Sequence, residues 1–193
     1  MALKEIATRR KTARIFRTDP VGHDDIKYIL ETARQAPSGS NKQPWRFIIV
    51  TDSDQKQSVR EASERGELAF YESINPERKK WYNSKGLSPS KLLLTQAPVL
   101  IIVLGDTRAP NYKPSVWVSI AYATLAIEEK GLATVTYTPS DPLLVTEAVG
   151  APEGFLVEAI LPIGYSGDPK PKEKRLELSE LVYKNIWGNP FFK

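Results

Sequence analysis

Ala36-Pro37-Ser38-Gly39-Ser40-Asn41-Lys42-Gln43-Pro44-Trp45 stands between a helical pattern ending near Gln35 and a run of strand formers, Arg46-Phe47-Ile48-Ile49-Val50. Pro37 and Pro44 each push the preceding residue out of the helical region, which predicts an ordered loop here. Inside the brackets lie two serine hydroxyls and the Asn41 and Gln43 amides, with Gly39 permitting close approach of the backbone. Such a loop suits a planar heteroaromatic ligand with mixed donors and acceptors. On composition alone it reads at least as readily as an ordinary helix-to-strand connection.

Working outward, residues 2–9 read as a helix, and Ile26, Ile29, Leu30 and Ala33 form one apolar helical stripe across residues 24–35. Residues 45–50, 98–104 and 155–163 read as buried strands. The aliphatic run at 98–104 has the pattern of a strand covered on both faces. Residues 115–130 predict a helix apolar almost all round, buried in a large core or at a subunit interface. Residues 132–138 alternate as a strand, 142–149 predict a short helix, and 178–183 a last helical turn. Residues 54–95 are the least legible: a helix to about Tyr71, a break at Asn75-Pro76, and Ser88-Pro89-Ser90 as a helix start. Phe70, Tyr71, Trp81 and Tyr82 read from the residues alone as core packing. The pattern is α/β (α+β), a single domain over residues 1–193.

The 193 residues are 41% hydrophobic and 26% charged, ordinary for a globular chain. No apolar run approaches the ~20 residues a bilayer requires, so no membrane partner is expected. The basic N-terminus lacks a following apolar block, and a cytoplasmic location is expected. Absence of cysteine excludes disulfides, thiolate catalysis and cysteine-ligated metals, and the one histidine, His23, excludes multi-histidine sites. His23 sits at a helix start, where a capping role is expected; no metal site is. The net charge of +4 comes without a nucleic-acid motif, so no nucleic-acid partner is expected, and the basic surface suits anionic ligands. Chemistry without cysteine or spare histidine points to a borrowed cofactor. No Gly-x-Gly-x-x-Gly or Walker pattern is present.

Pro37-Ser38-Gly39-Ser40-Asn41-x-Gln43-Pro44-Trp45 resembles the flavin-contacting loop of the nitroreductase family. Arg10-Lys11-Thr12-Ala13-Arg14-Ile15-Phe16 is similar to the family's N-terminal basic signature, and Gly131-Leu132-Ala133-Thr134 and Lys174-Arg175 follow in family order. The resemblance implies a nitroreductase-like fold, with a central mixed sheet flanked by helices, and an intertwined homodimer. It implies FMN, with Arg10, Lys11, Thr12, Arg14, Lys174 and Arg175 toward the phosphate. Pro37, Ser38, Gly39, Asn41 and Gln43 then fall at the ring and ribityl edge, Thr136, Tyr137 and Thr138 near the flavin N5, and Phe70, Tyr71, Trp81 and Tyr82 become candidates for a lid on the flavin's substrate side. Pro139 departs from the pattern, which often carries glycine there, and proline has no N–H to offer the ring.

The activity the resemblance implies is an FMN-dependent NAD(P)H oxidoreductase. It would pass electrons by a ping-pong mechanism from NADH or NADPH to a small acceptor such as a nitroaromatic or quinone. Two alternatives stay open: a flavin-binding protein without turnover, or a relative of the reductive dehalogenase type.

Overall fold

The computed structural model describes residues 2–192. Helix α1 (Leu3–Arg9) starts at Ala2, whose N–H donates to Glu5 Oε2, and ends at Arg9. Arg10 and Arg14 are therefore not one helical turn apart. They lie in an extended segment that bridges Thr12 to Thr134 and Phe16 to Ser166, burying Ala13 and Phe16. Helix α2 (His23–Ala33) turns Ile26, Ile29 and Ala33 inward. Its N-cap is Gly22, and exposed His23 makes no capping bond, so the expected capping role is unfilled.

The loop after α2 contains a single 3₁₀ turn at Gly39–Asn41 and leads into β1 (Trp45–Val50). Then come α3 (Ser53–Ser73), capped by Asp52, and α4 (Pro76–Ser84), capped by Asn75 with Pro76 in its first turn. A four-residue helix, α5 (Leu93–Gln96), precedes β2 (Val99–Asp106). Ser88-Pro89-Ser90 does not open a helix, because Glu64 Oε1 accepts from Ser90 Oγ and the Lys91 N–H and holds the stretch irregular. The chain continues through α6 (Tyr112–Glu129), β3 (Ala133–Thr134), α7 (Pro142–Ala148), β4 (Phe155–Gly164) and α8 (Leu178–Leu181). Among the described residues no helix is long and apolar enough to cross a membrane.

The strands pair antiparallel in the order β1-β2-β4-β3; the parallel component of the expected mixed sheet is the Thr12–Thr134 bridge. Strand β2 explains its own unbroken apolar run. Ile101 and Val103 face a core shared with α2 and α6, while Leu100, Ile102 and Leu104 face one shared with α3 and α7. The expected strand at 132–138 forms a ladder only at Ala133–Thr134, then touches β4 once more at Tyr137. Tyr137 exchanges both backbone hydrogen bonds with Ile160, and Pro139, the next in-register position, has no N–H to continue. Helix α6 buries one face, with Val116, Ser119, Ile120 and Ala123 inside, and leaves Trp117, Ala121 and Tyr122 exposed.

Candidate active site

The buried residues of α3 are Val59, Ala62, Ser63, Gly66, Glu67 and Tyr71, one helical stripe that includes a carboxylate. Gly66 lets this stripe close on the α7 turn: a Cβ there would lie 2.9 Å from the Asp141 Cβ. The approach brings Glu67 against Ser140 and opens, beside it, a cavity of about 570 Å³. Phe70 and Tyr71 of α3, Tyr82 of α4, Lys91, and the segment Thr136-Tyr137-Thr138 line it, with Arg14 at one end. Its size is that of a small-molecule site. Phe70, Tyr71 and Tyr82 meet edge to face at 5.6 to 5.8 Å, and Arg78 lies over Phe70 and Tyr82, so α4 is held by aromatic contacts. Trp81, the fourth lid candidate, is more than half exposed and does not line the cavity.

Two opposite charges face each other on this wall. Lys91 Nζ lies 3.1 Å from Glu67 Oε2, with side-chain exposures of 12% and 8%. The other oxygen, Glu67 Oε1, accepts from the Tyr137 hydroxyl and from Ser140 Oγ, both at 2.9 Å. Burial, then the Glu67 charge and the hydrogen bond to it, push the Tyr137 phenol far above its usual range, so it stays a donor. Tyr71 is pushed the same way, by burial first and the Glu67 charge second. An ion pair this far from water is costly to bury, and removing either partner strands the other.

Arg14 also lines a second cavity of about 220 Å³, together with Lys11, Thr12, Lys170, Lys172 and Arg175. Asp168 organises it. Asp168 Oδ2 accepts from the Arg14 N–H, Oδ1 from the Lys170 N–H, and the Asp168 carbonyl accepts from Lys11 Nζ. Burial alone would raise this carboxyl; the backbone donors and the Lys11 and Lys170 charges outweigh it and hold it below the usual range. Lys11 and Lys172 are tied to backbone carbonyls, whereas among the described residues the Arg14 side chain makes no hydrogen bond. Arg10 lies near Lys172 but not on the cavity wall, and Lys174 points away toward Glu177.

The remaining predicted residues lie elsewhere. Pro37, Ser38, Gly39, Asn41 and Gln43 pack near the start of α6, where the Gly39 N–H donates to Ser115 Oγ. Trp45, at the end of this loop, pairs with Gly105, and Gly105 with Leu156, whereas Tyr137 bridges Ile160 on the far side of β4. Three strand spacings and four residues of β4 separate the two groups, roughly 20 Å. They also lie on opposite faces of the sheet, the loop with α6 and the cavity with α3. Within one chain the loop and the cavity do not meet. The loop is strained: Ser40, Asn41 and Gln43 all have positive φ, of 49°, 52° and 45°. Non-glycine residues in that region cost about 1 kcal/mol or more each, and such strain clusters at functional sites.

Glu67, Lys91, Lys170 and Lys172 escaped the sequence reading. A signal for Glu67 exists, since a carboxylate on an otherwise small and apolar helical stripe implies a buried partner. Lys91 has none, because its pairing is set by where residues 85–92 cross α3.

The model of the family described as "Nitroreductase family" matches residues 7–165. Iodotyrosine deiodinase of Thermotoga neapolitana is 43% identical over 91% of this chain and 95% of its own length. That of Haliscomenobacter hydrossis is 30% identical over 82% and 77%. A solved structure of oxidised iodotyrosine deiodinase bound to FMN and 3-iodo-L-tyrosine superposes with a TM-score of 0.89 at 40% identity, covering 96% of this chain and 99% of that one. These relatives overturn the expectation of an NAD(P)H oxidoreductase acting on nitroaromatics or quinones and favour the reductive-dehalogenase alternative. With the family model spanning most of the chain and the fold in agreement, the chain belongs to the nitroreductase family.

Proposed function

We propose that the protein is an FMN-dependent reductive dehalogenase of halogenated tyrosine, working as a homodimer. The observation that carries the reading is the Glu67–Lys91 pair inside an aromatic-walled cavity. An α-amino acid presents an ammonium and a carboxylate side by side. On entry its ammonium takes the place of Lys91 at Glu67, and its carboxylate takes the place of Glu67 at Lys91. Each buried charge then keeps an opposite partner, so the exchange avoids stranding either. Tyr71, Phe70 and Tyr82 supply faces and edges for the substrate's ring.

FMN fits the residues present. The cation-lined cavity beside Arg14 suits its phosphate, and Thr136 and Thr138, on the wall of the adjoining cavity, suit the ring edge. When bound it supplies the two electrons of the reaction, in which the C–I bond breaks to iodide and a C–H bond forms with a proton. Phe70, Tyr71 and Tyr82 close the site around the substrate, and Lys91 and Glu67 hold it by its backbone end. The electrons come from an external reductant, for which NADH or NADPH is the proposed source.

A homodimer follows from the separated halves of the predicted flavin site: a second copy brings its Ser38–Gln43 loop to the cavity of the first. The exposed apolar face of α6 and the tail residues Ile186, Trp187, Phe191 and Phe192 give it a surface to bury. Incubation with FMN followed by desalting should leave about one FMN per chain, and 3-iodo-L-tyrosine should then perturb the flavin spectrum at micromolar concentration. A protein that stays colourless, or a flavin spectrum indifferent to 3-iodo-L-tyrosine, overturns the reading.

A further inference from the structure

Glu67 divides its two oxygens between different partners. Oε2 faces Lys91, whose ammonium also donates to the Ser88 carbonyl, while Oε1 is held by two hydroxyls, Tyr137 and Ser140, each at 2.9 Å. Both hydroxyls come from the segment between β3 and α7, and Tyr137 is itself fixed by two backbone hydrogen bonds to Ile160 of β4. Gly66 makes the arrangement possible, because any side chain there would force α3 off Asp141 and Glu67 away from Ser140. A buried tyrosine that needed only an acceptor would be satisfied equally by a neutral amide. A carboxylate at this depth is costly unless a cation is meant to reach it.

We propose that Tyr137 and Ser140 are positioning residues for amino-acid recognition, anchoring Glu67 Oε1 so that Oε2 is presented to the substrate ammonium when Lys91 departs. The inference rests on the dehalogenase reading above. The anchor has a second consequence. Tyr137 lies between Thr136 and Thr138, the two residues that line the proposed place of the flavin ring, so the substrate's ammonium and the ring are referenced to one rigid segment. The phenol is kept protonated by burial and by the Glu67 charge, so it donates throughout the working range of pH. Lys91 can leave Glu67 without the carboxylate turning, because the Oε1 contacts do not involve it.

The test uses the FMN-loaded protein and three ligands: 3-iodo-L-tyrosine, its N-acetyl derivative, which has no ammonium, and 2-iodophenol, which has no amino-acid group. Binding is read from the change in flavin absorbance or fluorescence. Tyr137→Phe and Ser140→Ala should each weaken 3-iodo-L-tyrosine by about tenfold, and the pair by more, with the other two ligands and FMN retention unchanged. Ser140→Thr, which keeps the hydroxyl, should restore the wild-type affinity. In turnover the loss should appear in KM and not in kcat. If Tyr137→Phe proves unstable, Ser140→Ala and Ser140→Thr carry the comparison, because Ser140 is exposed on the turn. Equal weakening of all three ligands, or none, overturns the inference while leaving the dehalogenase reading intact. A wild-type protein that ignores 3-iodo-L-tyrosine overturns both.

Discussion

Asp168 joins the N-terminal basic segment to the turn after β4 by accepting from the Arg14 and Lys170 N–H groups. Its carboxyl lies below the usual range in the fold, so its contribution is present above the unfolded pKa and is lost as pH falls through the folded one. The clamp should therefore hold at neutral pH and release only below about pH 4, the ordinary carboxylate range. Asp168→Asn, which loses an acceptor oxygen and the charge, should cost roughly 1–3 kcal/mol at pH 7 in denaturant unfolding, and the gap should close on acidification. Arg14→Ala tests the phosphate cavity separately. It should weaken FMN by about ten- to a hundredfold and riboflavin little, since riboflavin lacks the phosphate. Equal loss of both flavins would make Arg14 structural. Of this cavity, the sequence disclosed Lys11, Thr12, Arg14 and Arg175 but not Asp168, Lys170 or Lys172. Those enter through a turn whose position against residues 10–14 depends on long-range strand register, which no local pattern records.

Helix α3 is an element whose amphipathicity carries function as well as packing. Gly66 decides how close it comes to α7. Gly66→Ala gains about 1 kcal/mol of helix propensity, but a Cβ at 2.9 Å from Asp141 costs roughly 1–3 kcal/mol of overpacking. The clash wins. Thermal melting of Gly66→Ala should fall by a few degrees, and binding of 3-iodo-L-tyrosine should weaken beyond that of FMN, because Ser140 is carried away from Glu67. A higher melting temperature would show that α3 and α7 can separate freely. The elements legible in advance were those whose burial is set by one period: the stripe of α2, the two-faced run of β2, and the extent of α6. The segment 132–138 misled, because alternation persists to Thr138 while the ladder covers only Ala133–Thr134, and the single later contact, Tyr137 with Ile160, is not extended by Pro139, which has no N–H to offer. Residues 54–95 resisted reading because α3 hides Glu67 among small residues and α4 has no buried stripe, only Tyr82 turning partly inward.

At the scale of the whole molecule, the fold places the strained Ser38–Gln43 loop and the cavity beside Glu67 about 20 Å apart on opposite faces of the sheet. A composite site predicts complementation. Mixing an Arg14→Ala chain with an Asn41→Ala chain, each weak in FMN retention, should yield heterodimers with one intact site, seen as partial recovery of bound flavin. Flavin retention no better than the mean of the two homodimers would place the whole site in one chain. The sequence pointed to this family and cofactor through short motifs, yet it did not point to the proposed substrate, because the pairing of Glu67 with Lys91 on which that proposal rests is made across a loop crossing. The most direct measurement is anaerobic turnover of 3-iodo-L-tyrosine by the FMN-loaded protein reduced with dithionite, following iodide and tyrosine together. The account predicts equal amounts of iodide and tyrosine, and a loss of about ten- to a hundredfold in kcat/KM for Lys91→Ala. Reduced flavin that is stable in the presence of 3-iodo-L-tyrosine, with no iodide released, would contradict it.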